Sequence, residues 1–256
     1  MSRGGRTRSL ARRVTDAIMR HLDYRPTLGR INLQVPDEKS VFCWSDKWKL
    51  DDTDHDCRHF TVILKLKRKR GMELDIGAEV GSDLFGEPII TYQIFYDRHN
   101  KSAREEIYYE LLGISAHEIE HLTEEGLLAF QGPRQHKTYM GFPESGKMLH
   151  NLNDMHRLFS PGTDKDLWAQ RDLIATRNSF ENEEVYLICA LELNAFVKGF
   201  YEQARAARRP IDFFMRSYLN DYVKHGRIQQ HHAELVLDIW RTWTHLRFPK
   251  ARWLDT

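Results

Sequence analysis

The chain contains no apolar run long enough to cross a bilayer, so a membrane-spanning role is not expected. Residues 1–13 are rich in Arg, Ser and Gly and hold no acid, yet no apolar stretch follows them, so they do not read as a secretory signal. Cysteine is scarce. Cys43, Cys57 and Cys189 form no Cys-x-x-Cys pair. Cys43 and Cys57 are able to pair, but the odd total favours a reducing, cytoplasmic setting. Excess charge is absent too, at +1 overall, which excludes a global field for nucleic acid. There is no internal repeat and no low-complexity segment. The 256 residues suffice for one large domain or two small ones.

Histidine is abundant, with 13 in the chain, and two of them share a pattern. Ser115-Ala116-His117-Glu118-Ile119-Glu120-His121 contains His-Glu-x-x-His. From the chain's own composition, about 0.05 accidental matches to that pattern are expected. On a helix, residues four apart stand on one face, so His117 and His121 offer two imidazoles to one metal ion. Glu118 is placed to act on a water at that metal, the arrangement of a zinc hydrolase. The context is helical: Ser102-Ala103-Arg104-Glu105 is a capping box, and Ile107, Leu111, Ile114 and Leu122 recur at helical spacing. Gly113, one turn before His117, leaves room for another element to approach.

A catalytic zinc site takes three protein ligands and an open position. No histidine closely follows His121, which argues against the extended His-x-x-Gly-x-x-His form. A glutamate from a second helix is the other solution. Residues 183–205 read as one long helix, capped by Asn178 or Ser179, with Val185, Ile188, Cys189, Ala195, Phe196 and Gly199 as its apolar stripe. Glu192 lies in that stripe, where an ionised carboxylate is costly unless paired. A metal would resolve that cost, as would an arginine or a place at the stripe's edge. Glu184 and Glu181 are the next candidates. Glu124 and Glu125 suit a supporting role or solvent, and Asn194 and Tyr186 are candidate supports around the ligands.

The motif, followed by a helix containing Leu191-Glu192-Leu193-Asn194-Ala195-Phe196, resembles the glutamate-zincins, whose third ligand often sits in a Glu-x-x-Ala helix. More narrowly it resembles small zincin-like proteins often encoded by bacteriophages. Their layout is an N-terminal helix, a short antiparallel sheet, the motif helix and a Glu-x-x-Ala helix. The resemblance covers roughly residues 10–243 in layout. It implies zinc held by His117, His121 and Glu192, with Glu118 as the base. Asn194 stands where a small or acidic residue is usual, and the link between the motif helices, from about 126 to 180, is longer than usual. Intracellular metallopeptidases that cleave phage-type repressors share the same two motifs.

The remaining chain supplies a scaffold. Residues 9–22 read as a helix; 30–35, 41–44, 60–66 and 87–96 read as strands. Residues 65–70 carry five basic side chains, a solvated hairpin end or an anion contact. His55, Cys57 and His59 read as a polar loop sooner than as a metal site. Residues 131–178 are loop-rich and hold His136, Tyr139, His150 and His156, of which His136 and Tyr139 are candidate transition-state partners alongside Tyr186. After Pro210, helices are expected over 211–224 and 229–246, with His231, His232 and Glu234 as surface or capping residues and Trp240, Trp243 and Trp253 anchoring the core.

The expectation is a single α+β zincin-like domain over 1–256. It has a helix-plus-sheet part, 1–101, with a basic arm at 1–9, and a motif helix with a helical part, 102–256. The expected activity is zinc-dependent hydrolysis of peptide bonds in a peptide or protein substrate. The alternative is a silent zincin-fold binding module, such as a phage virion or host-interaction component. A nucleic-acid role through the basic arm and residues 65–70 is a third option, testable by salt sensitivity.

Overall fold

In the N-terminal helix α1, Arg3–His21, Leu10, Val14, Ala17 and Ile18 recur at helical spacing and are buried, so that face packs on a partner helix. The computed structural model describes residues 3–22, 24–25, 30–31, 42–49, 59–68, 74–82, 88–96, 104–122 and 165–254. The chain divides into two compact units, Met1–Leu122 and Thr123–Thr256. The architecture is α+β: helices and a sheet in the first unit, helices alone among the described residues of the second.

After α1 come a short ladder of β1 (Tyr24–Arg25) with β2 (Arg30–Ile31) and then a four-stranded sheet. The sheet holds β3 (Phe42–Lys49), β4 (His59–Arg68), β5 (Asp75–Ser82) and β6 (Pro88–Tyr96), in the order β3-β4-β6-β5. β3 is antiparallel to β4, β4 parallel to β6, and β5 antiparallel to β6. Alternation fixes the register. Phe60, Val62, Leu64 and Leu66 are buried, and Val62, Leu64 and Leu66 lie opposite the buried Ile90, Tyr92 and Ile94. Helix α2, Arg104–His121, packs on α1 and on β5.

The central strand read over 60–66 is confirmed and extended by a residue or two at each end, and the 41–44 segment runs on to Lys49. The strand over 87–96 is an inner strand of the sheet, not an edge. The edge strand β5 has no counterpart in the sequence reading. Its apolar residues Ile76, Ala78 and Val80 do alternate, but Gly77 and Gly81 between and beside them lower strand propensity and mask the pattern. The division falls after the motif helix, which joins the sheet unit instead of the helical part expected from residue 102 onward.

In the second unit, the described chain begins with α3, Lys165–Arg177, inside the stretch read as loop-rich. The expected long helix over 183–205 is two helices, α4 (Asn182–Ile188) and α5 (Ala190–Ala207). Cys189 separates them with an extended ψ of 153°. In one continuous helix, the carbonyls of Leu187 and Ile188 would bond to the amides of residues 191 and 192. Instead Trp240 Nε1 donates to the Leu187 carbonyl at 2.9 Å and Arg171 Nη1 to the Ile188 carbonyl at 3.0 Å. Neither partner is near in sequence, so the break is set by tertiary structure. The cap is also relocated: Glu181 forms a reciprocal capping box with Glu184, while Ser179 adopts a left-handed φ of 53°.

Helices α6 (Ile211–Lys224) and α7 (Gln230–Arg247) agree with expectation to within one residue. Trp240 lies at the centre of the aromatic core, 5.3 Å from Phe196 and 5.2 Å from Phe200, ring centre to ring centre. Trp243 is buried and Trp253 packs against the same cluster, as anticipated. No helix among the described residues is long and apolar enough to cross a membrane.

Replacing Trp240 removes a fully buried ring and leaves the Leu187 carbonyl without its donor. Trp240→Ala is expected to cost about 3–5 kcal/mol in chemical denaturation. A loss below about 1 kcal/mol would contradict this role for the ring.

Candidate metal centre

The two histidines depend on how α2 is rotated. Glu105 and Glu106 in its first turn favour the positive helix N-terminus. Ile107, Leu111, Leu112 and Ile119 turn into the core. Ser115, completely buried, then pins the helix. The Tyr92 hydroxyl of β6 donates to Ser115 Oγ at 3.0 Å, and the Thr15 and Ser115 hydroxyls share a bond of 3.2 Å. Thr15 also donates to the Ala11 carbonyl at 2.8 Å, so α1, β6 and α2 meet in one hydroxyl cluster.

With the helix so fixed, His117 and His121 bring their Nε2 atoms to 3.1 Å, with rings nearly perpendicular at 82°. Two nitrogens bound tetrahedrally to one zinc, at about 2.0–2.1 Å each, lie about 3.3 Å apart. The observed spacing is therefore close to what one zinc requires. His121 is buried and its Nδ1 is enclosed by protein. Glu118 is buried beside the pair, with Oε1 4.0 Å from His117 Nε2. Burial, and to a lesser extent the Glu118 charge, push the Tyr92 hydroxyl's pKa up, so it remains a neutral donor.

A neighbour not anticipated from the sequence is Glu110, two turns before His117 on the same face of α2. Burial, followed by repulsion from Asp75 of β5, pushes its carboxyl pKa up to about 7. A wide spacing along a helix and a partner on a distant strand gave no local sign of this. Glu120 is also buried.

In the second unit, the Cys189 break places Glu192 in the first turn of α5, where the helix dipole favours a carboxylate. Tyr186 of α4 hydrogen-bonds to the Glu192 side chain. Burial, then the Glu192 charge and the neighbouring phenols, push the Tyr186 pKa up, keeping it a neutral donor. Tyr218 is shifted the same way by burial and by Tyr222, whose hydroxyl lies 3.1 Å from its own, with Glu192 contributing. Glu192 is thus a half-buried carboxylate among phenols, and Tyr186 touches it as a supporting group.

The other candidate glutamates have structural duties. Glu184 Oε1 is 2.7 Å from His232 Nδ1, and its Oε2 accepts the Glu181 amide. His232 corrects the sequence reading: it is buried, not at the surface, and its Nε2 lies 3.0 Å from the Asn178 carbonyl. Its partners lie in segments far upstream, which helical periodicity does not reveal. Asn194 Oδ1 accepts from Trp243 Nε1 at 2.8 Å and Arg247 Nη1 at 2.9 Å, tying α5 to α7. Cys189 is buried, as its place in the apolar stripe implied. His136, Tyr139, His150, His156, Glu124, Glu125, His55 and Cys57 lie outside the described residues, as do the side chains of Cys43 and His59.

Comparison of the chain with protein-family models, with curated proteins and with solved structures gives no match.

Glu110 offers a pH test. Its folded pKa of about 7 is above the ordinary value of 4.5 for this side chain, so the fold favours its protonated form. Stability then falls as pH rises from about 4.5 through about 7, and the cost is complete above that window. Glu110→Gln is expected to stabilise the protein by about 2 kcal/mol at pH 8, after discount for partial exposure, and by almost nothing near pH 4.5. A thermal-shift difference independent of pH would contradict the burial of this carboxylate.

Proposed function

We propose that the protein is a zinc-dependent peptidase in which His117, His121 and Glu192 hold the metal and Glu118 is the general base. The observation that carries this reading is the convergence of His117 Nε2 and His121 Nε2 at 3.1 Å, with the Glu118 carboxylate beside them. The donor set suits zinc: two imidazoles and one carboxylate form a familiar catalytic set that leaves a fourth position open. Zinc bound there supplies Lewis-acid polarisation and a water acidic enough to ionise near neutral pH.

The remaining work belongs to the chain's own residues. Glu118 takes a proton from the attacking water and passes it to the leaving amine nitrogen as the peptide bond breaks. Ser115, through Tyr92 and Thr15, holds α2 in the rotation that aims Glu118 and both imidazoles. Tyr186 orients the Glu192 carboxylate and satisfies part of its hydrogen-bonding capacity. Strand β5 is an edge of the described sheet and packs against α2, which suits pairing with the main chain of an extended peptide.

Peptide-library cleavage by zinc-loaded protein tests this reading. Wild type is expected to cleave, and Glu118→Gln is expected to keep its zinc while losing turnover by about 10²–10⁴-fold. Undiminished turnover in Glu118→Gln, or none in fully zinc-loaded wild type, would overturn it.

A further inference from the structure

The C-terminal end of α5 carries a second chemical feature, wholly within the second unit. Arg205, Arg208 and Arg209 lie at that helix end, and Lys250 and Arg252 in the segment after α7. Together they line a cleft of about 240 Å³ that has no acidic residue in its wall. Among the described residues, none of the five cations forms a salt bridge.

Backbone amides hold the segment that carries Lys250 and Arg252. The Ile211 amide at the start of α6 donates to the Arg252 carbonyl at 2.8 Å, and the Leu254 amide donates to Asp212 Oδ1 at 2.9 Å. These bonds clamp the C-terminal segment beside the end of α5. Asp212, the acid next to the cleft, is buried and engaged by that amide. Arg209 is steadied over the Phe213 ring at 4.7 Å, and Tyr201 in the cleft wall stacks on Phe248 at 4.1 Å.

Arg208 is the informative residue. It ends α5 in the left-handed region, at φ 56° and ψ 33°, while the Arg209 amide closes onto the Ala204 carbonyl at 3.0 Å. Glycine is the residue that takes this position without strain. An arginine there keeps strained backbone and puts a fifth positive charge among four others. Both costs weigh against the folded protein, and a bound anion relieves the second.

We propose that this cleft is a binding site for a compact, phosphate-rich anion, the size of two or three linked phosphates. A nucleic-acid strand carries one charge per about 3.4 Å of its axis, so a stretch short enough to enter brings about two charges. Linked phosphates bring three to five in the same space, which matches five cations better. Inorganic polyphosphate and the phosphate tail of a nucleotide share this chemistry.

Calorimetric titration of the full chain with inorganic tripolyphosphate tests the site, with a nucleoside triphosphate and a single-stranded oligonucleotide as further arms. One tripolyphosphate per chain is expected, weakening as salt is raised. Arg208→Gly is expected to weaken binding at least tenfold while holding or raising the melting temperature, since it relaxes the backbone. Arg252→Gln is expected to weaken it similarly, and His117→Ala to leave it unchanged. Equal affinity for the triphosphate and tripolyphosphate identifies a free-phosphate site; tighter triphosphate binding identifies a nucleotide. No binding at millimolar tripolyphosphate, full binding in Arg208→Gly, loss in His117→Ala, or an oligonucleotide that outcompetes tripolyphosphate would each overturn the proposal.

Discussion

The hydroxyl of Ser115 fixes the rotation of α2, and everything proposed for the chemistry depends on that rotation. A helix can satisfy its apolar face over a range of rolls, but a buried hydroxyl must meet its partners at hydrogen-bond distance. Tyr92 and Thr15 supply those partners from β6 and α1. Two residues later on the same helix, His117 is directed to one side, and one turn further on His121 meets it edge-on. The result is a pair of nitrogens spaced for one metal instead of two independent surface imidazoles.

The second unit solves a different problem. Its core is an aromatic cluster around Trp240, and the price of placing Glu192 at a helix start is a broken helix inside that core. The break exposes carbonyls that need donors, and Trp240 and Arg171 provide them. Glu184, His232 and Asn178 form a second polar junction between α4, α7 and the α3–α4 turn. The Leu187 and Ile188 carbonyls, Glu184 and His232 are thus hydrogen-bonded at the joints between helices, where packing alone leaves the angle undetermined.

What the sequence shows and hides follows from the distance over which each cause acts. The His117–His121 pair was legible because its cause is local: four residues are one helical turn. The same holds for α6, whose limits Pro210 and the 225–226 turn announce. Strand β4 was legible from alternation. The break at Cys189 was not, because Leu187 and Ile188 owe their donors to Trp240 and Arg171. Strand β5 was hidden by its glycines, and the burial of His232 by the remoteness of Glu184. The five cations of the cleft come from two segments separated by α6 and α7, so the sequence shows the Arg205, Arg208 and Arg209 cluster but not that Lys250 and Arg252 join it.

Whether His117, His121 and Glu192 are ligands of one zinc ion is decided by metal content. Wild type, His117→Ala and Glu192→Ala would be purified at neutral pH without chelators and analysed for zinc per chain. One zinc is expected in wild type and a large loss in both variants, with the fold retained by circular dichroism. Zinc absent from wild type would contradict the metal centre itself, and zinc lost only in His117→Ala would contradict the assignment of Glu192.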